Sequence, residues 1–126
     1  MTENQIAAAV VDAAFKIHRT LGPGLFESVY EATLEYELQT RGLQVAHQIG
    51  LPVHYEEVKL ELGFRVDLII DEKVIVEIKS IEALAPVHKK QLLTYLRLTG
   101  LRLGLLINFN VELIRHGIQR VVNKLY

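Results

Sequence analysis

Apolar residues recur at helical spacing near the start of the chain. Ile6, Val10, Ala13 or Ala14, and Ile17 fall on one side of a helix from about Glu3 to Leu21. Thr2 and Gln5 have the spacing of a capping box at its start. Leu21-Gly22-Pro23-Gly24 ends it, because glycine suits the cap and proline cannot continue a helix. A second helix is predicted from about Phe26 to Arg41, with Val29, Leu34 and Leu38 as its buried side and Arg41-Gly42 as its end. The pattern then turns to strands: Leu43 to Ile49, Pro52 to Tyr55, Val58 to Ile70 with a possible bend at Gly63, and Val74 to Ile78. Glu56-Glu57 is a plausible turn without the glycine that tight hairpins prefer. Pro86, suited to a first turn, opens a third helix that Gly100 closes after Thr99. Arg102 to Phe109 reads as a buried strand, and Ile118 to Val122 as either an edge strand or a short helix. The order is ααββββαβ plus a tail, in one α/β domain over residues 1–126.

Composition narrows the function classes. Half of the 126 residues are hydrophobic and 23% are charged, which suits a globular core and not a disordered chain. There is no cysteine, so disulfides and thiolate zinc sites are excluded, and a reducing, cytoplasmic location is expected. Neither a signal-peptide pattern nor an apolar run of membrane-spanning length is present, and no membrane partner is expected. The net charge of −1 means that nucleic-acid contact would need a local basic patch. Lys89, Lys90, Arg97, Arg102, Lys16 and Arg19 are its candidates. The surfaces of Val111 to Tyr126 and of the leucine-rich third helix could pair two copies of the chain as a homodimer.

Against this background, three charges inside apolar strands need a reason. Asp67 interrupts Gly63 to Ile70, and Glu77 and Lys79 interrupt Val74 to Lys79. If Asp71-Glu72-Lys73 is a hairpin turn, Ile70 faces Val74, and counting back three on each side sets Asp67 opposite Glu77. Directly opposed residues share a face with Cβ atoms roughly 4.5–5.5 Å apart, and Lys79, two residues on, shares it too. Adjacent carboxylates repel unless a proton or cation lies between them. A hard ion with oxygen ligands, Mg²⁺ or Mn²⁺, is the natural occupant, and the lysine could orient a water or stabilise phosphate charge. Two helix faces add polar groups. Glu27, Tyr30, Glu31 and Leu34 share one face of the second helix, where Glu27 could be a further acidic ligand. His88, Gln91 and Tyr95 share a face of the third and could touch phosphate or sugar.

These residues match a known pattern. Asp67, nine residues, then Glu77-Ile78-Lys79 resembles the signature of the PD-(D/E)XK nuclease superfamily. Gln91-Leu92-Leu93-Thr94-Tyr95 resembles the QxxxY motif of its RecB-like branch. Gly24-Leu25-Phe26-Glu27-Ser28-Val29-Tyr30 resembles the motif that names its GxxExxY family, and Gly104 to Asn110 is also similar to that family. The resemblance implies a restriction-endonuclease-like α/β/α core with a central mixed sheet of four to five strands flanked by helices. It implies metal ligation by Asp67, Glu77, the Ile78 carbonyl and Glu27, with Lys79 as the catalytic lysine. Gln91, Tyr95, His88 and Tyr30 would then meet substrate. The expected activity is Mg²⁺- or Mn²⁺-dependent phosphodiester hydrolysis in nucleic acid, with DNA favoured. A catalytically silent domain that binds nucleic acid or a protein partner is the alternative.

Overall fold

The computed structural model describes residues 1–125, and of Glu61 and Leu62 the backbone alone. Tyr126, the last residue of the proposed pairing surface, lies outside the described residues. Helix α1 spans Glu3–Leu21 and opens on the expected capping box: the Gln5 N–H donates to Thr2 Oγ1 at 3.2 Å and the Thr2 N–H to Gln5 Oε1 at 2.9 Å. Gly22 ends it at φ 71°, donating its N–H to the His18 carbonyl. Helix α2 spans Glu27–Thr40. Leu34 and Leu38 are fully buried as expected, but Val29 is 39% exposed. Tyr30, one position along the helix, takes the inward place instead.

Five strands make one mixed sheet in the order β1-β2-β3-β4-β5. They are β1 (Val45–Tyr55), β2 (Val58–Ile70), β3 (Val74–Lys79), β4 (Leu103–Asn108) and β5 (Ile118–Val122). Helix α3 (Pro86–Thr99) crosses between β3 and β4, which are therefore parallel; the other neighbours are antiparallel. The two segments expected either side of Gly50-Leu51 are one strand. β1 lies at the sheet edge, where the missing N–H of Pro52 costs no ladder bond. The register shifts between Leu51 and Val53, and the bend falls opposite, at Gly63. A Cβ on Gly63 would sit 1.6 Å from the Leu51 carbonyl oxygen, so only glycine allows this approach. A 3₁₀ turn (Ile114–Gly117) precedes β5, which settles as the edge strand of the two options.

Helices α1 and α2 cover one face of the sheet, burying Ile6, Val10, Ile17, Tyr30 and Leu34 against Leu68, Ile70, Val76 and Ile78. Helix α3 covers the other, packing Leu92, Tyr95 and Leu96 on Val66, Ile75 and Leu106. Gly104 allows α3 to come close, since a Cβ there would lie 2.9 Å from Leu92. Among the described residues no helix is long and apolar enough to cross a membrane.

Candidate active site

Hairpin counting is followed by the ladder as far as Ile70↔Val74, Ile69↔Ile75 and Leu68↔Val76. There backbone pairing of β2 with β3 stops and side chains take over. The Asp67 N–H donates to Glu77 Oε1 at 3.0 Å, and the Ile78 N–H donates to Asp67 Oδ2 at 2.8 Å. Each carboxylate is thus fixed through one oxygen by the opposite strand. The Ile78 carbonyl leaves β3 on the same side as its N–H, into the gap where the ladder has ended.

The neighbouring strand is irregular at the same level. β1 pairs His47 with Leu68 and Ile49 with Val66, but the Gln48/Asp67 step between them is not paired. Gln48 has φ 50°, a left-handed value that few residues other than glycine adopt. The strand changes face there. Leu68 and Ile70 pack beneath α1 and α2, whereas Val66, which strict alternation would place with them, packs beneath α3. The Gln48 amide donates to Glu31 Oε1 and Oε2 at 2.8 and 3.0 Å and lies 3.4 Å from Asp67 Oδ1. Glu31 of α2 is therefore the helix carboxylate drawn toward Asp67. Burial raises its pKa first, and the Asp67 charge adds to the rise.

Glu27 sits one helical turn away, at the other end of the row. Its Oε2 accepts from the Ser80 N–H at 3.3 Å, immediately beyond Lys79. The Ser80 hydroxyl in turn donates to the Leu25 carbonyl at 2.5 Å. Tyr30 is 0% exposed, which leaves it no surface for substrate. Its hydroxyl donates to the Gly22 carbonyl at 2.6 Å and accepts from the Leu25 N–H, while its ring stacks on Phe109. It pins the Gly22–Leu25 loop that touches Ser80. His88 also serves the scaffold, since its Nδ1 accepts from the Ala85 N–H at 2.9 Å and caps α3. Gln91 is exposed. Tyr95 stacks on Phe64, and its pKa is raised by burial and then by the charges of Glu77 and Asp67.

Electrostatics separates Glu77 from an ordinary buried acid. Glu37 and Glu77 are both 8% exposed. Glu37 is paired with Arg41 at 2.7 Å and Lys16 at 3.0 Å, and hydrogen bonds from Arg41 and then Lys16 hold its pKa down. Glu77 has neither partner. Burial, and after it the Asp67 charge, push its pKa up to about 8, against weaker opposing pulls from the Asp67 N–H hydrogen bond and then Lys79. Such a group binds a proton or a cation tightly at neutral pH.

Among the described residues no three acidic or imidazole groups converge closely enough to hold a metal by themselves. The chain offers two carboxylates and a backbone carbonyl. That donor set suits Mg²⁺, which keeps several waters and commonly takes only one or two carboxylates. The candidate basic residues do not form one patch. Lys89 and Lys90 line a groove with Arg120, Arg97 and Arg102 line another, Arg19 near the end of α1 lines a third, and Lys16 is held by Glu37. Sequence reasoning passed over Gln48 and Asn108. Glu31, four residues after Glu27 on the same helix face, and Asn108, inside the Gly104 to Asn110 stretch, each carried a signal that could have been weighed. Asn108, 1% exposed, accepts from the Ile81 N–H at 3.1 Å and donates to the Ile81 carbonyl at 3.0 Å, clamping the turn after Lys79.

A β2/β3 end bearing an acidic pair and a lysine, between helices on both sheet faces, defines a restriction-endonuclease-like architecture. The sequence model of the PD-(D/E)XK nuclease superfamily matches residues 4–121, and the chain belongs to that superfamily. No curated protein and no solved structure matches the chain significantly.

Proposed function

We propose that the protein is a metal-dependent nuclease of the GxxExxY family, in the RecB-like branch, hydrolysing phosphodiester bonds in nucleic acid, with DNA the favoured substrate. The observation that carries this is the contrast between Glu37 and Glu77: two acids of equally small exposure, one ion-paired with Arg41 and Lys16, the other set against Asp67 with no ion pair among the described residues. Asp67, Glu77 and the Ile78 carbonyl would hold Mg²⁺ or Mn²⁺, with Glu27 as a further acid at the Lys79 end. A bound ion would supply Lewis-acid polarisation of the phosphate. The Lys79 ammonium orients the attacking water and stabilises charge developing on the phosphate oxygens. Tyr95 would narrow the site from the α3 side, and Gln91, exposed on the same helix, would meet the sugar-phosphate backbone.

The test is cleavage of single- and double-stranded DNA and RNA in Mg²⁺ or Mn²⁺, against the same reactions in chelator. Wild type should cut only with metal, and Asp67→Ala or Lys79→Ala should lose at least ~10²-fold in rate. Undiminished cutting by both variants would remove these residues from the chemistry. The net charge of −1 and the scattered cations favour a second reading, a silent domain that docks on a protein partner. Inactivity on every substrate, with no metal binding by calorimetry, would support that reading. The cysteine-free composition supports a cytoplasmic setting. A homodimer would bring two sites together for double-strand cleavage; light scattering at micromolar concentration should then give twice the 14.3 kDa chain mass, and a monomer mass would count against it.

A further inference from the structure

Gln48 has a backbone that its residue type disfavours and a side chain with a specific task. Its φ of 50° falls at the unpaired Gln48/Asp67 step of an otherwise continuous ladder. A left-handed residue other than glycine is strained and persists where the surroundings impose it. Here the conformation brings one amide nitrogen to both oxygens of Glu31 and toward Asp67 Oδ1. Glu31 and Asp67 are like charges on different elements, α2 and β2, and repulsion between them favours Glu31 swinging into solvent. A neutral donor that contacts both removes that tendency without competing as a cation would. The bonds to Glu31 are the short ones, so Asp67 Oδ1 stays largely open.

We propose that Gln48 is a positioning residue that holds Glu31 beside Asp67, adding a carboxylate to the rim of the metal site and strengthening its hold on a divalent cation. This rests on the proposed nuclease reading, and its test reads metal binding and fold separately from activity. Gln48→Gly is the informative variant, because glycine accepts the left-handed backbone while removing the side chain that carries the amide. It should melt at or above the wild-type temperature, yet bind Mn²⁺ about tenfold more weakly by calorimetry. Glu31→Gln should weaken Mn²⁺ binding by a similar factor, and the double variant by no more than either single change, since both break one interaction. Gln48→Asn tolerates the backbone but is one methylene short, and should resemble Gln48→Gly.

Asp67→Ala separates the two levels. If it leaves Mn²⁺ affinity unchanged, the metal site itself is misplaced and this inference goes with it. If it abolishes binding while Gln48→Gly keeps wild-type affinity, or while the Gln48 and Glu31 effects multiply independently, the positioning role is overturned and the nuclease reading stands. A Gln48→Gly protein that melts well below wild type would mark the residue as merely structural and also overturn the proposal.

Discussion

Glu77→Gln should melt at a higher temperature than the wild-type protein in chelator at pH 8, and should cut nucleic acid at least ~10²-fold more slowly with Mg²⁺. Both outcomes follow from one fact. Glu77 ionises near pH 4.5 in the unfolded chain but only at about 8 in the fold, chiefly because it is buried and secondarily because Asp67 is close. A carboxylate whose pKa is raised by folding gives its full stabilising contribution below the unfolded value, and loses it as pH rises through the folded value. Metal-free wild type should therefore lose stability between about pH 5 and 8, by of order 1–4 kcal/mol from this group. Glutamine is neutral throughout, and its Oε1 can still accept from the Asp67 N–H. The variant's advantage should be several degrees at pH 8 and should vanish near pH 4.5. Thermal melts across that range check this; a variant less stable than wild type at pH 8 would mean that Glu77 is not charge-strained. Glu37→Gln should show the reverse pattern, because the Arg41 and Lys16 partners of Glu37 stabilise its ionised form. Adding Mn²⁺ to wild type should narrow the gap to Glu77→Gln, since a ligand that binds only the fold raises its stability.

The helices and the central hairpin were legible because their signals are local. The Thr2/Gln5 box, the Gly22 stop, Pro86 and Gly100 each act within a few residues. A three-residue turn between apolar runs fixes the Asp67/Glu77 count by arithmetic. What escaped depended on neighbours distant in sequence. β1 read as two strands because Pro52 breaks a central strand but not an edge strand, and edge position is a property of the whole sheet. Val29 and Tyr30 compete for the same inward place, and the decision lies with Phe109, which stacks on Tyr30 from 79 positions later. His88 reads as a substrate contact from its place on a polar helix face, and Tyr30 through the family resemblance. Spacing shows which way a side chain points and not whether a backbone group already occupies it. Gln48 was invisible for a stronger reason: its importance comes from an irregular φ, and no composition rule announces a left-handed glutamine.

Asn108→Ala should cost ~2–3 kcal/mol of stability, because it removes the acceptor of the Ile81 and Asn110 N–H groups and one of the two donors to the Ile81 carbonyl, at a site almost closed to water. Activity should fall by more than the lost folded fraction accounts for. Ile81 is two residues beyond Lys79, and the turn between them is tied down at three points. Phe109 donates its N–H to the Lys79 carbonyl, Glu27 and Leu25 hold Ser80, and Asn108 holds Ile81. Releasing the last tie leaves Lys79 on its strand but lets the chain that limits its position move. Asn108→Asp sharpens the test. The carboxylate can still accept from the Ile81 and Asn110 N–H groups, but it faces the Ile81 carbonyl with an acceptor where a donor had been. Asn110, whose amide also reaches that carbonyl at 3.2 Å, offsets part of the loss. The aspartate variant should therefore fall between wild type and alanine in both melting temperature and rate. Amide hydrogen exchange at Ser80 and Ile81 provides the direct measurement, with faster exchange in Asn108→Ala under conditions where the sheet remains protected. Unchanged exchange at those two amides would mean that the turn is held without Asn108, and the link from this buried amide to Lys79 would be lost.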